Sequence, residues 1–288
     1  MTSLAHWIQG ARPRTLGAAV SPVLVGTAVA SRYGDVTGWR ALFCLLLAVA
    51  LQVGVNYAND YSDGVRGVDT QRRGPVRLTA GGLAAPARVK QAALLSFAVG
   101  GLLGIGLAVA VDWRLILVGA ASILAAALYS GGPKPYASSG LGEVMVLVFF
   151  GFVATCGSAY VHLERVPWLA VGAAVPVGLL ACAILLVNNL RDVDSDRDVG
   201  KRTLAVRVGK ARTRALYRAS IVLSLLAVVV LAPTAPAALL ALAAAPLAVP
   251  PLRIVASKVD PPSLVRALVA TARLQLVFSA LLAAGLAV

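Results

Sequence analysis

The chain has 288 residues, of which 59% are hydrophobic and only 13% charged, and its mean hydropathy is +0.84. This composition excludes a soluble domain with a polar shell and predicts a polytopic membrane protein. The net charge of +14 would suit a nucleic-acid binder. The basic residues are instead sorted by membrane side, as described below, so we expect no nucleic-acid partner.

Nine apolar runs, each close to the roughly 20 residues that cross a bilayer as a helix, predict an all-α fold with nine spans. The predicted spans are 14–31, 40–58, 91–111, 114–130, 141–161, 168–189, 215–231, 234–252 and 264–287. No soluble domain interrupts them, so residues 1–288 are expected to form one transmembrane domain. The first run continues the series after Arg12 and Arg14 and is expected to serve as the insertion signal.

The basic residues predict the orientation of the chain. With the amino terminus in the cytoplasm, only four of the 26 Lys and Arg residues fall on the outer side: Arg32, Arg40, Arg114 and Arg165. A tryptophan opens three spans from that side, where indole rings favour the interface: Trp39, Trp113 and Trp168. We therefore expect a multi-pass protein of the cell membrane, with a cytoplasmic working face and an external carboxyl terminus.

The second span ends in a polar motif. Asn56, Asp60 and Asp63 follow the spacing i, i+4, i+7 and would share one face of a helix, with Asn59 beside them. A long inner loop is expected over 59–90. Its basic residues, Arg72 among them, would lie close to the carboxylates.

The inner turn between the fourth and fifth predicted spans contains Tyr129, several Gly and Pro residues, and a single cation, Lys134. Gly and Pro predict a shaped loop. Lys134 is expected to reach the same site as the acidic motif; the alternative is a turn lysine that contacts lipid headgroups.

The sixth span ends in a second polar motif. Asp192 and Asp196 are again i and i+4, with Asn188 and Asn189 one turn earlier. The alternate carboxylates in this motif are expected to point elsewhere: Asp194 and Asp198. The segment 190–214 is expected to be a long inner loop.

The two motifs, with Asp69 shortly after the first, contain seven of the twelve carboxylates in the chain. Because the second and sixth spans run in the same direction, their carboxylates can face each other across the bundle. Carboxylate and amide oxygens suit Mg²⁺ holding a phosphate-bearing substrate, and the interleaved cations Arg191 and Lys201 would neutralise a diphosphate leaving group. The alternatives are helix-end residues that contact headgroups, a cation-coupled transporter and a non-enzymatic quinone-binding scaffold.

The motifs resemble those of the UbiA superfamily of intramembrane aromatic prenyltransferases, and within it the MenA branch, which prenylates 1,4-dihydroxy-2-naphthoate in menaquinone synthesis. The resemblance runs through four stretches: Arg12-Pro13-x-Thr15-Leu16; Asn56-x-x-Asn59-Asp60-Tyr61-x-Asp63 with Gly67-x-Asp69; Tyr129-Ser130 with Leu141-Gly142-Glu143; and Asn189-x-Arg191-Asp192-x-x-x-Asp196-x-x-x-Gly200-Lys201-x-Thr203. In the generic superfamily pattern each acidic motif ends in a further aspartate, and here Gly67 and Gly200 stand at those positions.

The resemblance implies nine helices around a central cavity and Mg²⁺-dependent transfer of a polyprenyl chain from polyprenyl diphosphate to 1,4-dihydroxy-2-naphthoate. It implies the metal ligands Asn59, Asp60, Asp63, Asp192 and Asp196, of which the four aspartates are the expected catalytic residues. Substrate binding is expected from Arg12, Asn56, Arg72, Tyr129, Lys134, Arg191 and Lys201. Another branch, with an acceptor such as 4-hydroxybenzoate, is the alternative.

Overall fold

The described residues have an all-α fold, as the apolar runs predicted. A computed structural model of the protein describes residues 2–67, 77–132, 135–258 and 260–288, and within these ranges it contains helices and turns without a strand. The α-helices are α1 (Leu4–Ala11), α2 (Gly17–Tyr33), α3 (Gly38–Val65), α4 (Pro86–Ala110), α5 (Arg114–Ser130), α6 (Gly142–Val146), α7 (Ala154–Leu163), α8 (Trp168–Asp198), α9 (Leu204–Leu231), α10 (Val249–Ser257) and α11 (Pro261–Leu286). The π-helical segment Leu147–Val153 joins α6 to α7, and the 3₁₀ segment Pro236–Ala248 leads into α10.

Most of these helices have the length and apolarity needed to cross a bilayer. Seven helical stretches of the described chain meet both requirements, and the bent pair Leu4–Thr15 and Gly17–Tyr33, which meet at 50°, raises the number to eight. Helix α5 is apolar but shorter than these stretches. A multi-pass membrane protein is therefore confirmed, and the count of nine spans stays a prediction.

Helix α8 is the centre of the bundle. In its most apolar stretch 78% of the residues are buried. In the corresponding stretches of the other six long spans, at most 44% of the residues are buried. Small residues let its neighbours approach closely: a Cβ on Gly178 would lie 2.9 Å from the Cα of Gly151 in the π-helical segment. A fully packed α8 fixes the position of the second acidic motif, which occupies the carboxyl-terminal part of this helix.

The helices that carry the two motifs end in the same way. Gly67 after α3 and Gly200 after α8 have φ values of +71° and +75°, a left-handed conformation that favours glycine. After α8 the amide of Gly200 donates to Arg197 O at 3.1 Å and the amide of Lys201 to Asp196 O at 2.7 Å. This is the Schellman pattern of hydrogen bonds. Glycine thus replaces the further aspartate of the family pattern where the helix stops.

The prediction of a long loop over 190–214 is wrong. Helix α8 continues to Asp198 and α9 begins at Leu204, so only a short connection separates them. A helix satisfies its own backbone hydrogen bonds whether or not its side chains are apolar. The polar motif therefore extends the helix beyond the apolar run, and the apolar run alone marked its end too early.

Candidate active site

A cavity of about 860 Å³ lies between α2, α3, α4, α5, α8 and the segments from α6 to α7. One end is polar and is lined by both acidic motifs. The expected site residues among the described ones all line it: Arg12, Asn56, Asn59, Asp60, Asp63, Tyr129, Arg191, Asp192, Asp196 and Lys201. The structure thus brings the predicted residues of α3 and α8 together. Arg72 and Lys134 lie outside the described residues.

The first motif is held by backbone groups of neighbouring segments. The Asn56 side-chain amide donates to the carbonyl of Ala11 at 2.9 Å, which ties α3 to the turn after α1. The carboxylate of Asp60, which is 1% exposed, accepts the backbone amides of Leu78 at 2.9 Å and Thr79 at 2.8 Å. Asp60 therefore fixes the turn that follows the first motif, in addition to lining the cavity.

The last aspartate of the first motif connects the two motif helices. Lys201 Nζ lies 3.2 Å and 3.3 Å from the two carboxylate oxygens of Asp63. Lys201 is the residue after Gly200, so the left-handed turn at the end of α8 directs the chain towards α3. The positive charge of Lys201 and the negative charge of Asp63 thus neutralise each other at the edge of the buried site.

The second motif contains an arginine that binds its own neighbour. Arg191 Nε and Nη2 lie 2.7 Å and 2.6 Å from the two oxygens of Asp192, and Nη2 also donates to the side-chain carbonyl of Asn188 at 3.0 Å. The Arg191 side chain is 4% exposed. A two-point contact to a carboxylate fixes the guanidinium plane. Asp196, one turn later, is buried and also lines the cavity.

The alternate aspartates of the second motif point away from the cavity, as the helical spacing predicted. The Asp194 side chain is 70% exposed and binds Lys210 of α9 at 2.7 Å. Asp198 is exposed as well. Only the i, i+4 pair of this motif therefore faces the first motif.

The polar end of the cavity suits a divalent cation that is held jointly with substrate oxygens. The side-chain oxygen of Asn59 is buried and has no hydrogen-bond partner in the described structure. No group of three His, Cys, Asp or Glu side chains converges on one point in the described ranges. Mg²⁺ commonly takes one or two carboxylates and completes its coordination with substrate phosphates and water. The donor set fits that mode of binding rather than a closed protein cage.

Two tyrosines lie beside the charged groups. Tyr129 and Tyr136 line the cavity and meet edge to face, with ring centroids 5.5 Å apart. The Tyr136 hydroxyl donates to the carbonyl of Ala125 at 2.8 Å. Burial raises the pKa of Tyr136 to about 12, so its phenol stays protonated at neutral pH. The pair supplies an aromatic wall next to the carboxylates.

Sequence reasoning assigned no site role to two polar residues, Gln52 and Glu143, although Glu143 stands in one of the motifs that carry the family resemblance. Asn189 donates to Glu143 Oε1 at 3.0 Å, and Glu143 is buried behind it. Glu143 is the only carboxylate between Asp112 and Glu164, a signal that was available in the sequence. Gln52, one turn before Asn56, donates to its side chain at 3.4 Å and extends the polar row along α3.

The rest of the cavity is apolar and long. Along α3 its lining runs from Asp63 back to Cys44, a helical distance of about 28 Å at 1.5 Å per residue. Leu107 of α4 and Val161 of α7 line it near Cys44, and the three residues belong to one buried cluster. A charged head and a long apolar tail can be accommodated in one continuous space.

Comparison with known proteins agrees with this arrangement. The UbiA prenyltransferase family matches residues 19–285, so the chain belongs to this family. The 1,4-dihydroxy-2-naphthoate octaprenyltransferase of Mycobacterium tuberculosis is 49% identical over 248 residues, which are 86% of this chain and 85% of the relative. The enzyme of the same name from Escherichia coli is 38% identical over 72% of this chain and 70% of its own length.

Solved structures show the same fold at low sequence identity. The apo structure of a UbiA homolog from Aeropyrum pernix has a TM-score of 0.65 at 16% identity and covers 93% of this chain and 96% of its own. A UbiA homolog from Archaeoglobus fulgidus, bound to DMAPP and Mg²⁺, has a TM-score of 0.56 at 16% identity, with coverages of 93% and 98%. The protein is an intramembrane prenyltransferase by family and by fold.

Proposed function

We propose that this protein transfers a polyprenyl chain from polyprenyl diphosphate to 1,4-dihydroxy-2-naphthoate, with loss of the acceptor carboxyl group, in menaquinone synthesis. The observation that carries the proposal is the pairing of two carboxylate and cation groups, Asp63 with Lys201 and Asp192 with Arg191, at the polar end of a long apolar cavity. The names of the relatives from M. tuberculosis and E. coli support the acceptor.

The charged groups would bind the diphosphate and its cation. Mg²⁺ would be held by Asn59, Asp60, Asp63, Asp192 and Asp196, and when bound it supplies positive charge for the diphosphate leaving group. Arg191 and Lys201 donate to diphosphate oxygens as the negative charge grows on them. Both cations contact carboxylates of the site in this structure, so they already lie beside the place proposed for the diphosphate before the substrate arrives. Arg72 and Lys134 are proposed as further cations of the site.

The cavity would exclude water from the reacting carbon. The prenyl tail would lie along the apolar lining between Asp63 and Cys44. Ionisation breaks the bond between the allylic carbon and oxygen, and the electron pair leaves with the diphosphate. Water would trap the resulting cation, so a dry apolar surface around it favours attack by the acceptor ring instead.

The acceptor would bind beside Tyr129, with Arg12 near its carboxylate and Asn56 holding the Arg12 turn in place through Ala11. The ring carbon that carries the carboxylate attacks the allylic cation and forms the new carbon–carbon bond. The bond to CO₂ then breaks and returns its electron pair to the ring. The product is a prenylated hydroquinone, and its later oxidation gives demethylmenaquinone.

We further propose the membrane arrangement predicted from the charges. Nine spans, with α5 as a short one, would place the amino terminus and both motifs on the cytoplasmic side of the cell membrane and the carboxyl terminus outside. The lipid bilayer would deliver the polyprenyl donor to the cavity. The clustering of basic residues at the motif end of the helices supports this orientation.

The proposal is tested by product analysis with purified protein. One polyprenyl diphosphate is offered with 1,4-dihydroxy-2-naphthoate and 4-hydroxybenzoate together, with Mg²⁺ or with a chelator, and the products are identified by mass spectrometry. We expect prenylated naphthohydroquinone without its carboxyl group, formed only with the metal. Preferential prenylation of 4-hydroxybenzoate would assign the chain to another branch of the family.

A further inference from the structure

A second hollow, of about 440 Å³, lies beside the main cavity and has three arginines in its wall: Arg14, Arg266 and Arg273. Its apolar wall includes Leu247 and Val269. Arg14 and Val269 line both spaces, so the hollow adjoins the cavity at the turn that precedes α2. The reaction proposed above uses neither Arg266 nor Arg273.

The two arginines of α11 are arranged on one helix face. Arg266, Val269 and Arg273 follow the spacing i, i+3, i+7, and the 3₁₀ turn with Arg14 packs against this helix. Arg266 Nη2 donates to the Ser263 hydroxyl at 2.8 Å, which anchors its side chain at the start of the face. All three arginines thus line one hollow rather than being spread around the bundle.

The hollow carries a net positive charge. In the described ranges, no carboxylate lies within 4.0 Å of the side-chain nitrogens of these three arginines. The acidic residue at the start of α11, Asp260, accepts the amide of Ser263 at 2.9 Å and caps the helix. Its charge interacts with that of Arg266 without forming an ion pair, so the three arginines keep an excess of positive charge. A cluster of three cations in an apolar wall attracts an anion.

The position of Arg273 indicates where that anion comes from. It lies near the middle of α11, about 18 Å along the helix from Pro261, and is exposed. An exposed arginine at that depth in a spanning helix needs an anionic partner or a path to the interface. One turn further along, Leu276 is 39% exposed and offers an apolar surface for an acyl chain.

We propose that this hollow binds an anionic glycerophospholipid. The phosphate would lie among Arg14, Arg266 and Arg273, and an acyl chain would pass over Leu276 into the bilayer. Basic hollows between membrane helices bind lipid headgroups in this way. The bound lipid would complete the wall that the hollow shares with the main cavity at Arg14 and Val269. The proposal is independent of the identity of the aromatic acceptor.

Native mass spectrometry after reconstitution tests the proposal. The full-length protein is placed in nanodiscs with equal amounts of phosphatidylglycerol and phosphatidylcholine, and the lipids that stay bound are counted. We expect one phosphatidylglycerol to be retained preferentially, and the R266Q/R273Q variant to lose about 30-fold of that preference, since each basic group contributes about fivefold. The control R218Q/R253Q removes two exposed arginines that do not line the hollow and should keep the preference.

A charge-preserving variant, R266K/R273K, separates loss of charge from loss of fold and should keep most of the preference. Equal lipid preference in the wild-type protein and R266Q/R273Q would overturn the proposal, as would an equal loss in the R218Q/R253Q control. Displacement of the phosphatidylglycerol by millimolar inorganic phosphate would also overturn it, because the hollow would then bind a free anion and not a lipid.

Discussion

The four aspartates of the two motifs line one cavity but have different contacts. Asp60 accepts two backbone amides of the turn at Leu78 and Thr79, whereas Asp63 and Asp192 each face a cation. Metal binding is proposed for all four. The structural contacts indicate that Asp60 has a second role, in holding the segment that follows the first motif over the cavity.

Two aspartates of α8 provide a matched test of the site. Asp192→Asn removes a negative charge from the cavity, and we expect kcat/KM to fall on the order of 10²-fold, the range seen when one transition-state contact is lost. Asp194→Asn makes the same change two residues away, on the exposed side, and should change kcat/KM less than twofold. Steady-state kinetics at limiting Mg²⁺ provides the measurement. Near-normal activity of Asp192→Asn would contradict a metal site built from both motifs.

Asp60→Asn should loosen the turn as well as impair the reaction. An amide offers one acceptor oxygen where the carboxylate offers two, so one of the amides of Leu78 and Thr79 loses its partner. We expect the unfolding free energy to fall by roughly 1–3 kcal/mol, the usual effect of a buried donor left unsatisfied. Hydrogen exchange at these two amides should become faster in Asp60→Asn and stay unchanged in Asp63→Asn. Equal exchange in both variants would show that Asp60 does not hold the turn.

The residue spacing predicted which motif side chains face the cavity, because α3 and α8 remain helical through the motifs. The partners of those side chains were not predictable in the same way. The contact of Asp60 with Leu78 and that of Asn189 with Glu143 join segments that are 18 and 46 residues apart in sequence. Helical periodicity gives the face of a residue but not the segment that packs against it.

At the scale of elements, Gly200 ends α8, and its substitution is expected to change both the stability of the protein and the position of Lys201. Gly200→Val places a β-branched residue at φ +75°, and a left-handed backbone costs an L-residue about 1–2 kcal/mol. We expect a lower melting temperature and a higher KM for the diphosphate, because Lys201 would move away from Asp63. Gly200→Asn should be milder, since asparagine tolerates this conformation. Indistinguishable effects of the two variants would contradict a conformational role of Gly200.

Apolar runs predicted the positions and order of the helical stretches better than their ends. The run that gives α8 stops at residue 189 in the sequence, whereas the helix continues to Asp198. The reason is that hydropathy marks the apolar part of a helix, which for α8 is packed in the bundle, whereas the helix ends at the Schellman turn that contains Gly200. The 50° bend between the first helices and the π-helical segment between α6 and α7 left no distinct signal in the apolar runs.

For the whole molecule, topology is the prediction that depends on the span count. Val199 lies at the end of α8 and is 45% exposed, so a cysteine placed there in a protein without its three native cysteines can be labelled. Val199→Cys should react only with reagent supplied on the cytoplasmic side, and a reporter fused after Val288 should be external. If the cysteine at position 199 and the reporter after Val288 were found on the same side, the number of spans between them would be even, whereas the proposed topology requires an odd number.

The chemistry of the whole enzyme is tested most directly by the fate of the acceptor carboxyl group. Purified protein is given polyprenyl diphosphate, Mg²⁺ and 1,4-dihydroxy-2-naphthoate labelled in its carboxyl carbon, and labelled CO₂ and diphosphate are measured together. We expect the two to appear in equal amounts, with a prenylated product that contains no label. A prenylated product that retained the label would contradict attack at the carboxyl-bearing carbon and with it the proposed function.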